Sequence, residues 1–325
     1  MKILITGATG FVGRSLVSHL IAKKFDVQAL VRQSCDFPLS VEQVVAGDFA
    51  ELSMGESSTS LRDTLSGVDV VVHTAARVHV MNDDAFDPLV AFRKTNRDAT
   101  LILARLAADY GVKRFIFISS VKVNGEMTKR GDSFRPIDVY VPKDPYGLSK
   151  YEAEQSLFSL ATETDMEVVI IRPPLVYGPG VRANFASMMK WINQGVPLPF
   201  GAINNQRSLV ALDNLVSFII HCIDHPNAAN QTFLISDGED VSTTELLRKV
   251  AKAFGKGAWL IPVPVSWMTF VAKLLGKEDV TNRLFGSLQI DSSKSHELLG
   301  WQPVITMDEQ LKKTVDAYIA HEKTF

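Results

Sequence analysis

A doubly wound α/β fold is what the amino-acid sequence predicts, and three observations predict it. Short, nearly unbroken apolar runs recur through residues 1–172. Longer stretches with apolar residues three and four apart lie between them. A glycine cluster, Thr6-Gly7-Ala8-Thr9-Gly10-Phe11-Val12-Gly13, stands where the first apolar run gives way to the first helical one. Strands apolar on both faces belong to a parallel sheet covered by helices on each side, and strand–helix alternation marks that architecture.

Taken in order, Lys2–Thr6 reads as a buried strand and residues 11–23 as an amphipathic helix. Strands follow at 27–31, 41–45 and 68–73, the last a Val-Asp-Val-Val-Val-His run ending in polar residues. A long helix is expected over 91–110, a strand over 114–119, a helix over 146–160 and a strand over 167–171. Beyond Arg172, Pro173, Pro174, Pro179 and Gly180 break the regularity, and helices are expected at 212–223, 243–254 and 307–321. Residues 1–172 are therefore expected to form a Rossmann-type dinucleotide-binding domain. Residues 173–325 should form a smaller α+β, mainly substrate-binding region, with about 207–225 returning to the first. The apolar stretch 259–272 is uncharged and carries Pro262 and Pro264. Core or subunit packing is the expectation for it, ahead of a membrane-surface anchor.

Composition excludes several classes. The chain has 325 residues, 46% hydrophobic and 22% charged, and 34 Lys+Arg against 36 Asp+Glu leave a net charge of −2. That balance argues against a non-specific nucleic-acid binder and against a disordered chain. Two cysteines, Cys35 and Cys222, make neither a disulfide scaffold nor an all-Cys zinc site. No His/Cys/Asp cluster has metal spacing, so no metal is expected. Met1–Thr6 runs straight into a strand without a signal-peptide pattern, and no membrane-spanning run occurs, which points to a cytoplasmic protein.

The glycine cluster carries the first chemistry. Gly7 and Gly10 allow a tight turn and close approach to a pyrophosphate, Gly13 allows the helix to pack on the strand, and the helix start around Thr9, Phe11 and Val12 presents free N–H groups. A bare strand–helix turn is the alternative. The strand–turn–helix context is what the dinucleotide motif requires, and no Gly-Lys-Ser/Thr follows to make a P-loop. NAD enzymes place an acid about 20 residues on, at the end of the second strand. Here the chain reads Val31-Arg32-Gln33-Ser34, with Asp26 too early and Asp36 too late. Arg32 suits a 2′-phosphate, so NADP(H) is expected ahead of NAD(H); the alternative is an exposed Arg stacked on adenine. Asp48, followed by Phe49, either accepts from the adenine amino group or is an ordinary turn residue.

Ser119-Ser120 ends a buried strand, and Tyr146-Gly147-Leu148-Ser149-Lys150 opens a helix with Tyr146 and Lys150 on one face. Alone, that pair is a common surface arrangement; beside the glycine turn and the upstream serine it becomes specific. With these residues the chain resembles the extended short-chain dehydrogenases/reductases, in their nucleotide-sugar epimerase/dehydratase/reductase group. The resemblance runs through residues 6–13, Gly47-Asp48, His73-Thr74-Ala75-Ala76, Thr95-Asn96, Ser119-Ser120, residues 146–150 and 172–180, Ser236-Asp237-Gly238, and Leu298-Leu299-Gly300-Trp301-Gln302-Pro303. It implies Ser120, Tyr146 and Lys150 as the catalytic triad, Ser120 rather than Ser119 by counting back from Val123-Asn124-Gly125. It also implies Ala75, Ala76, Asn96, Tyr146, Lys150 and Pro173 at the cofactor, and a homodimer through residues 101–108 and 151–160.

The chemistry agrees with this triad. Moving a hydride at a carbinol carbon requires a proton to move on its oxygen. A phenolate at pH 7 costs about 4 kcal/mol for a tyrosine of ordinary pKa, and a nearby cation lowers that cost. Dehydratases of the group carry Asp-Glu after the catalytic hydroxyl residue, whereas this chain has Val121-Lys122. An NADPH-dependent 4-keto-sugar reductase of cell-surface polysaccharide synthesis is therefore the leading expectation, acting on a UDP-hexose. A UDP-hexose 4-epimerase with retained NAD is the alternative. A reductase of a non-sugar ketone and a non-catalytic NADP sensor stand behind both. Asn184, Arg207 and Arg283 match family positions that contact the sugar diphosphate, for which an Arg fork is a natural partner. Arg77 and His79 either line the hexose pocket or shape its loop, Ser120 is also expected on the substrate, and His73 reads as structural.

Overall fold

The computed structural model describes residues 1–51, 59–78, 87–138, 140–274 and 284–322. Arg283 and His79 lie outside the described residues. The strands, in chain order, are β1 Lys2–Thr6, β2 Asp26–Val31, β3 Val41–Val45, β4 Val70–His73, β5 Arg114–Ile118, β6 Glu167–Arg172, β7 Leu175–Tyr177, β8 Arg207–Ala211, β9 Gln231–Leu234 and β10 Asp240–Val241. The helices are α1 Phe11–Ala22, α2 Thr59–Leu65, α3 Pro88–Arg93, α4 Ala99–Asp109, α5 Pro145–Glu163, α6 Ala183–Asn193, α7 Leu212–His221, α8 Thr243–Ala253 and α9 Val265–Leu274, followed by Ser293–Leu299 and Met307–Glu322.

Seven strands form one sheet in the order β3-β2-β1-β4-β5-β6-β9, and every pairing in it is parallel. Alternation along each strand feeds two cores. Ile3 and Ile5 of β1 face α1 and α7 through Leu16, Leu20, Leu215 and Ile219. Leu4 points the other way, toward Leu103, Ala107, Ala153 and Leu157 of α4 and α5. Both faces are thus dry, which is why the strand sequences lack polar alternation. β9, from far along the chain, completes the sheet beside β6.

The second half builds a three-stranded sheet, β10-β8-β7, over its own core with α6, α8 and the helix Met307–Glu322. Asp237 fastens it to α7. The carboxylate accepts from the Tyr177 hydroxyl at 2.7 Å, from Ala211 N–H at 2.8 Å and from Asn214 Nδ2 at 2.7 Å.

Two expectations need correction. The helix over 91–110 is interrupted: α3 and α4 are separated by a π-helical turn, Lys94–Asp98. The extra residue in that turn directs Asn96 inward, where it is fully buried, and such bulges favour functional positions. The stretch 259–272 reaches the core only at its start, where Leu260 packs against the second-half cluster; α9 contains no buried residue, and Trp259 and Trp267 are 64% and 72% exposed.

One buried ion pair is decisive for packing. Glu154, on α5 and wholly buried, accepts from Arg172 Nη2 at 2.6 Å and Nε at 3.0 Å, while Arg172 Nη1 reaches Asn124 Oδ1 at 3.0 Å. Removing one partner strands a buried charge. Glu154→Ala should lower unfolding stability by about 3–5 kcal/mol in urea titrations; an unchanged midpoint would contradict this account.

Candidate active site

Because β1 to β6 run in parallel, their C-terminal ends share one edge. The residues expected at the site collect there: Gly7 after β1, Arg32 after β2, Asp48 and Phe49 after β3, Ala75, Ala76 and Arg77 after β4, Ser120 after β5 and Pro173 after β6. Strand order reverses between β1 and β4, and such reversals open the crevice where α/β sheets bind ligands.

The crevice is lined by bare backbone. Gly7 has φ +67°, and a Cβ there would lie 2.6 Å from the Ala75 nitrogen, so only glycine fits. At Gly13 a Cβ would overlap the Gly7 carbonyl carbon at 2.8 Å. Gly10 N–H closes the turn on Gly7 O at 2.8 Å and then caps α1 with no side-chain bond and no acid in the first turn. The first N–H groups of α1, around Phe11, Val12 and Gly13, consequently have no intrahelical acceptor. A 12-residue helix ending in free donors, beside a cradle that excludes side chains, fits a dinucleotide diphosphate. Thr9 and Gly10 are exposed at its mouth.

Around this cradle the other residues differ in what they can offer. Arg32 is exposed and has no hydrogen-bond or ion-pair partner among the described residues. Asp48 is exposed and its Oδ1 accepts Ala50 N–H at 3.0 Å, the ordinary turn arrangement. Phe49 is half-buried with its ring 5.1 Å from that of His73. His73 is fully buried between Thr6 Oγ1 at 2.6 Å and Thr100 Oγ1 at 2.9 Å. Burial, reinforced by the charge of Lys150, holds its pKa well below the usual imidazole range. It is a neutral structural bridge. Asn96 accepts Arg77 N–H at 2.8 Å and spends both amide hydrogens, on Arg77 O and Ser149 Oγ, each at 3.0 Å. It therefore braces the Arg77 loop against α5, while the Arg77 guanidinium lies 5.8 Å from the Phe92 ring centre.

The triad assembles as follows. Ser120 caps the turn Val121–Val123, its Oγ accepting Lys122 N–H at 3.3 Å, and its hydroxyl hydrogen-bonds the Tyr146 phenol. Burial, with the Asp144 carboxylate adding to it, pushes the Tyr146 phenol up to about 12 against the opposing Ser120 bond. Lys150 is 1% exposed; its Nζ donates to Ile118 O at 2.9 Å and sits 4.3 Å over the Phe117 ring. Burial pushes its pKa down to about 7, against the pull of Glu154. A protonated phenol and an amine poised near neutrality can hold and move a proton at one substrate oxygen.

One clamp escaped the sequence reading. Asp144 N-caps α5, its Oδ1 accepting Gly147 N–H at 3.1 Å, and the same oxygen accepts from Lys122 Nζ at 3.1 Å. Lys122 thereby ties the turn holding Ser120 to the helix holding Tyr146. The signal was present: Asp followed by Pro is a helix-start signature.

Among the candidate substrate residues, Asn184 is exposed in the first turn of α6. Arg207 opens β8 half-buried, its Nη1 donating to Gly286 O at 3.1 Å, and burial lowers its pKa. β8 pairs with β7, which follows directly on Pro173-Pro174.

Comparison with known proteins adds the identification. The profile described as NAD dependent epimerase/dehydratase family matches residues 3–236. The chain belongs to this family. Within it, the chain is an enzyme of the extended short-chain dehydrogenase/reductase type, in the nucleotide-sugar group. A UDP-glucose 4-epimerase from Vibrio cholerae is 50% identical over 320 residues, covering 98% of this chain and 95% of that protein. An N-acetyl-alpha-D-glucosaminyl-diphospho-ditrans,octacis-undecaprenol 4-epimerase from Escherichia coli O157:H7 is 27% identical, covering 99% and 96%. A solved UDP-glucose 4-epimerase with UDP-glucose, from Thermotoga maritima, superimposes with TM-score 0.75 at 23% identity over 99% of this chain and all of the other, and shares the fold.

The buried lysine makes a stability prediction. Below pH about 7, Lys150 is protonated whether the chain is folded or not, and the folded state bears the whole burial penalty. As pH rises from about 7 toward 10.5, the unfolded chain holds the proton that the folded one has released, and stability climbs. Lys150→Met should therefore raise the melting temperature most below pH 7, with the advantage shrinking toward pH 10.5. Melting curves of both proteins across that range test this, and a pH-independent gap would contradict it.

Proposed function

We propose that the chain is a UDP-hexose 4-epimerase acting on a glucose- or N-acetylglucosamine-type sugar, with a retained nicotinamide dinucleotide. The observation that carries this reading is the 50% identity, over 98% of the chain, to a UDP-glucose 4-epimerase. It moves the epimerase ahead of the 4-keto reductase that the strand end alone favoured. In this reading residues 1–172 hold the dinucleotide and residues 173–325 mainly hold the sugar nucleotide. The named substrates of both relatives join a hexose to a diphosphate, which supports Arg207, Asn184 and Arg283 as diphosphate contacts.

When bound, the nicotinamide supplies reversible two-electron chemistry at C4 of the hexose. The chain's residues supply the proton. Tyr146 takes the proton from the C4 hydroxyl and returns it, while Ser120 hydrogen-bonds the same oxygen. Ionising a phenol of pKa about 12 costs about 7 kcal/mol at pH 7. Lys150, protonated, offsets part of that cost, and its buried position also suits the nicotinamide ribose. A diphosphate gripped in the second half leaves the hexose free to present either face to this fixed triad. The enzyme works as a homodimer through the outer faces of α4 and α5 in the same reading.

Arg32 favours a second reading, an NADPH-dependent 4-ketoreductase, because the exposed guanidinium closes β2 where NAD enzymes keep an acid. Incubation with UDP-glucose or UDP-N-acetylglucosamine without added cofactor should interconvert C4 epimers. Stoichiometric NADPH loss with a 4-keto UDP-sugar, and no interconversion, would select the reductase. Tyr146→Phe should lower turnover by about 10²–10⁴-fold while dinucleotide binding, followed by fluorescence, stays intact. Undiminished turnover in that variant would remove Tyr146 from the chemistry.

A further inference from the structure

The turn after β5 meets the start of α5 through a glycine. Gly147 follows Tyr146 directly, in the first turn of that helix. Glycine inside a helix is less favourable than alanine by about 1 kcal/mol, so its presence there calls for a reason. The contacts of its backbone supply one. A Cβ at this position would lie 2.5 Å from Asp144 Oδ2, 3.0 Å from Pro142 Cβ and 3.3 Å from Lys122 O. Alanine would therefore press the helix that carries Tyr146 away from the turn that carries Ser120. The turn is held from its other side as well. Val121 N–H donates to Pro173 O at 3.0 Å, and Ser120 Oγ accepts Lys122 N–H at 3.3 Å.

Charge crosses the same seam. Lys122 Nζ lies 3.1 Å from Asp144 Oδ1 and 3.5 Å from Glu126 Oε1. The Glu126 side chain is 57% exposed and that of Asp144 only 22%, so solvent weakens the first contact more than the second. Asp144 also bears on the phenol, because its carboxylate opposes ionisation of Tyr146. The other charges around the phenol are Lys150, one turn along α5, and Arg77, whose guanidinium lies 5.8 Å from the Phe92 ring centre, itself 5.9 Å from that of Tyr146. Lys122 thus has two effects at one place. It holds the turn to the helix, and it covers the carboxylate nearest the phenol.

We propose that Lys122, Asp144 and Gly147 are positioning residues, which together set how closely the Ser120 hydroxyl and the Tyr146 phenol converge on one substrate oxygen. This rests on the proton role given to Ser120 and Tyr146, which the epimerase and reductase readings share. Gly147→Ala should lower kcat by about 10²-fold, the effect of a displacement of roughly 1 Å, with dinucleotide affinity and KM for the UDP-sugar little changed. Lys122→Met should lower kcat by about tenfold. It should also move the rising limb of the kcat–pH profile up by about half a pH unit, since the Asp144 charge then acts on the phenol uncovered. Asp144→Asn keeps a helix cap and should move that limb down. Lys122→Arg should restore most of the turnover, and Glu126→Gln should leave it unchanged. Crystal structures of the protein and of Gly147→Ala give a readout that needs no turnover: the Ser120 and Tyr146 hydroxyls should be hydrogen-bonded in the first and beyond hydrogen-bond distance in the second. Retained contact in that variant, or limbs that move the same way in Lys122→Met and Asp144→Asn, would overturn the proposal. Hydroxyls that part as expected in a protein turning over no UDP-sugar would support the seam and count against the sugar reaction instead.

Discussion

A lysine ammonium buried in an apolar sheet core is the constraint around which this active site is arranged. Lys150 has one strong acceptor, the Ile118 carbonyl, and one aromatic face, Phe117. Neither cancels the loss of water, so the surroundings must be organised for it. One turn further along α5, Glu154 supplies a negative charge, and being buried itself it needs Arg172. Arg172 in turn engages Asn124, whose Nδ2 donates to Arg135 O at 2.8 Å. The charge at the catalytic helix is thus relayed to the turn after β5 and to the end of β6. His73, across Phe117 with rings 5.7 Å apart, stays neutral because burial disfavours its charged form and the Lys150 cation adds repulsion. Position of the triad and integrity of the sheet edge are therefore one property.

The parallel sheet was legible because burial on both faces leaves an apolar record in every strand, and the glycine turn was legible because only glycine fits where Gly7 meets Ala75. The interrupted helix over 91–110 was not. Periodicity continues through the π turn almost unchanged, since α3 and α4 remain on one face. The inserted residue shows only in the contacts of Asn96, with Arg77 and Ser149, both distant in sequence. Nor could the sequence show that β9 would cross from the second half to lie beside β6, because long-range pairing leaves no local mark.

The triad itself was readable from spacing plus context, whereas what tunes it was not. Tyr146 and Lys150 announce themselves at i and i+4, yet the forces on them come from Ser120, Asp144 and Glu154, two of which sit in segments with other local duties. Asp144 is a helix cap, and its charge bears on the phenol two residues later. Lys122, standing where dehydratases of the group carry an acid, meets that cap and offsets its charge. A residue read by its absence from one reaction type acquires its role from the neighbour it finds in the fold.

Net charge is a poor guide to such a molecule, because its charges are sorted by location. Thirty-four cations nearly cancel thirty-six acids over the chain. Screening confines the influence of an exposed charge to roughly 8 Å at physiological salt, so a ligand senses only the groups around it. A free helix start at the glycine turn, an Arg32 without a partner among the described residues and a half-buried Arg207 are each local anion attractors. The glycine turn is enclosed by backbone and selects a small, shaped polyanion through geometry. Enclosure and spacing, not the sum of charges, decide which kind of anion each part of the chain can hold.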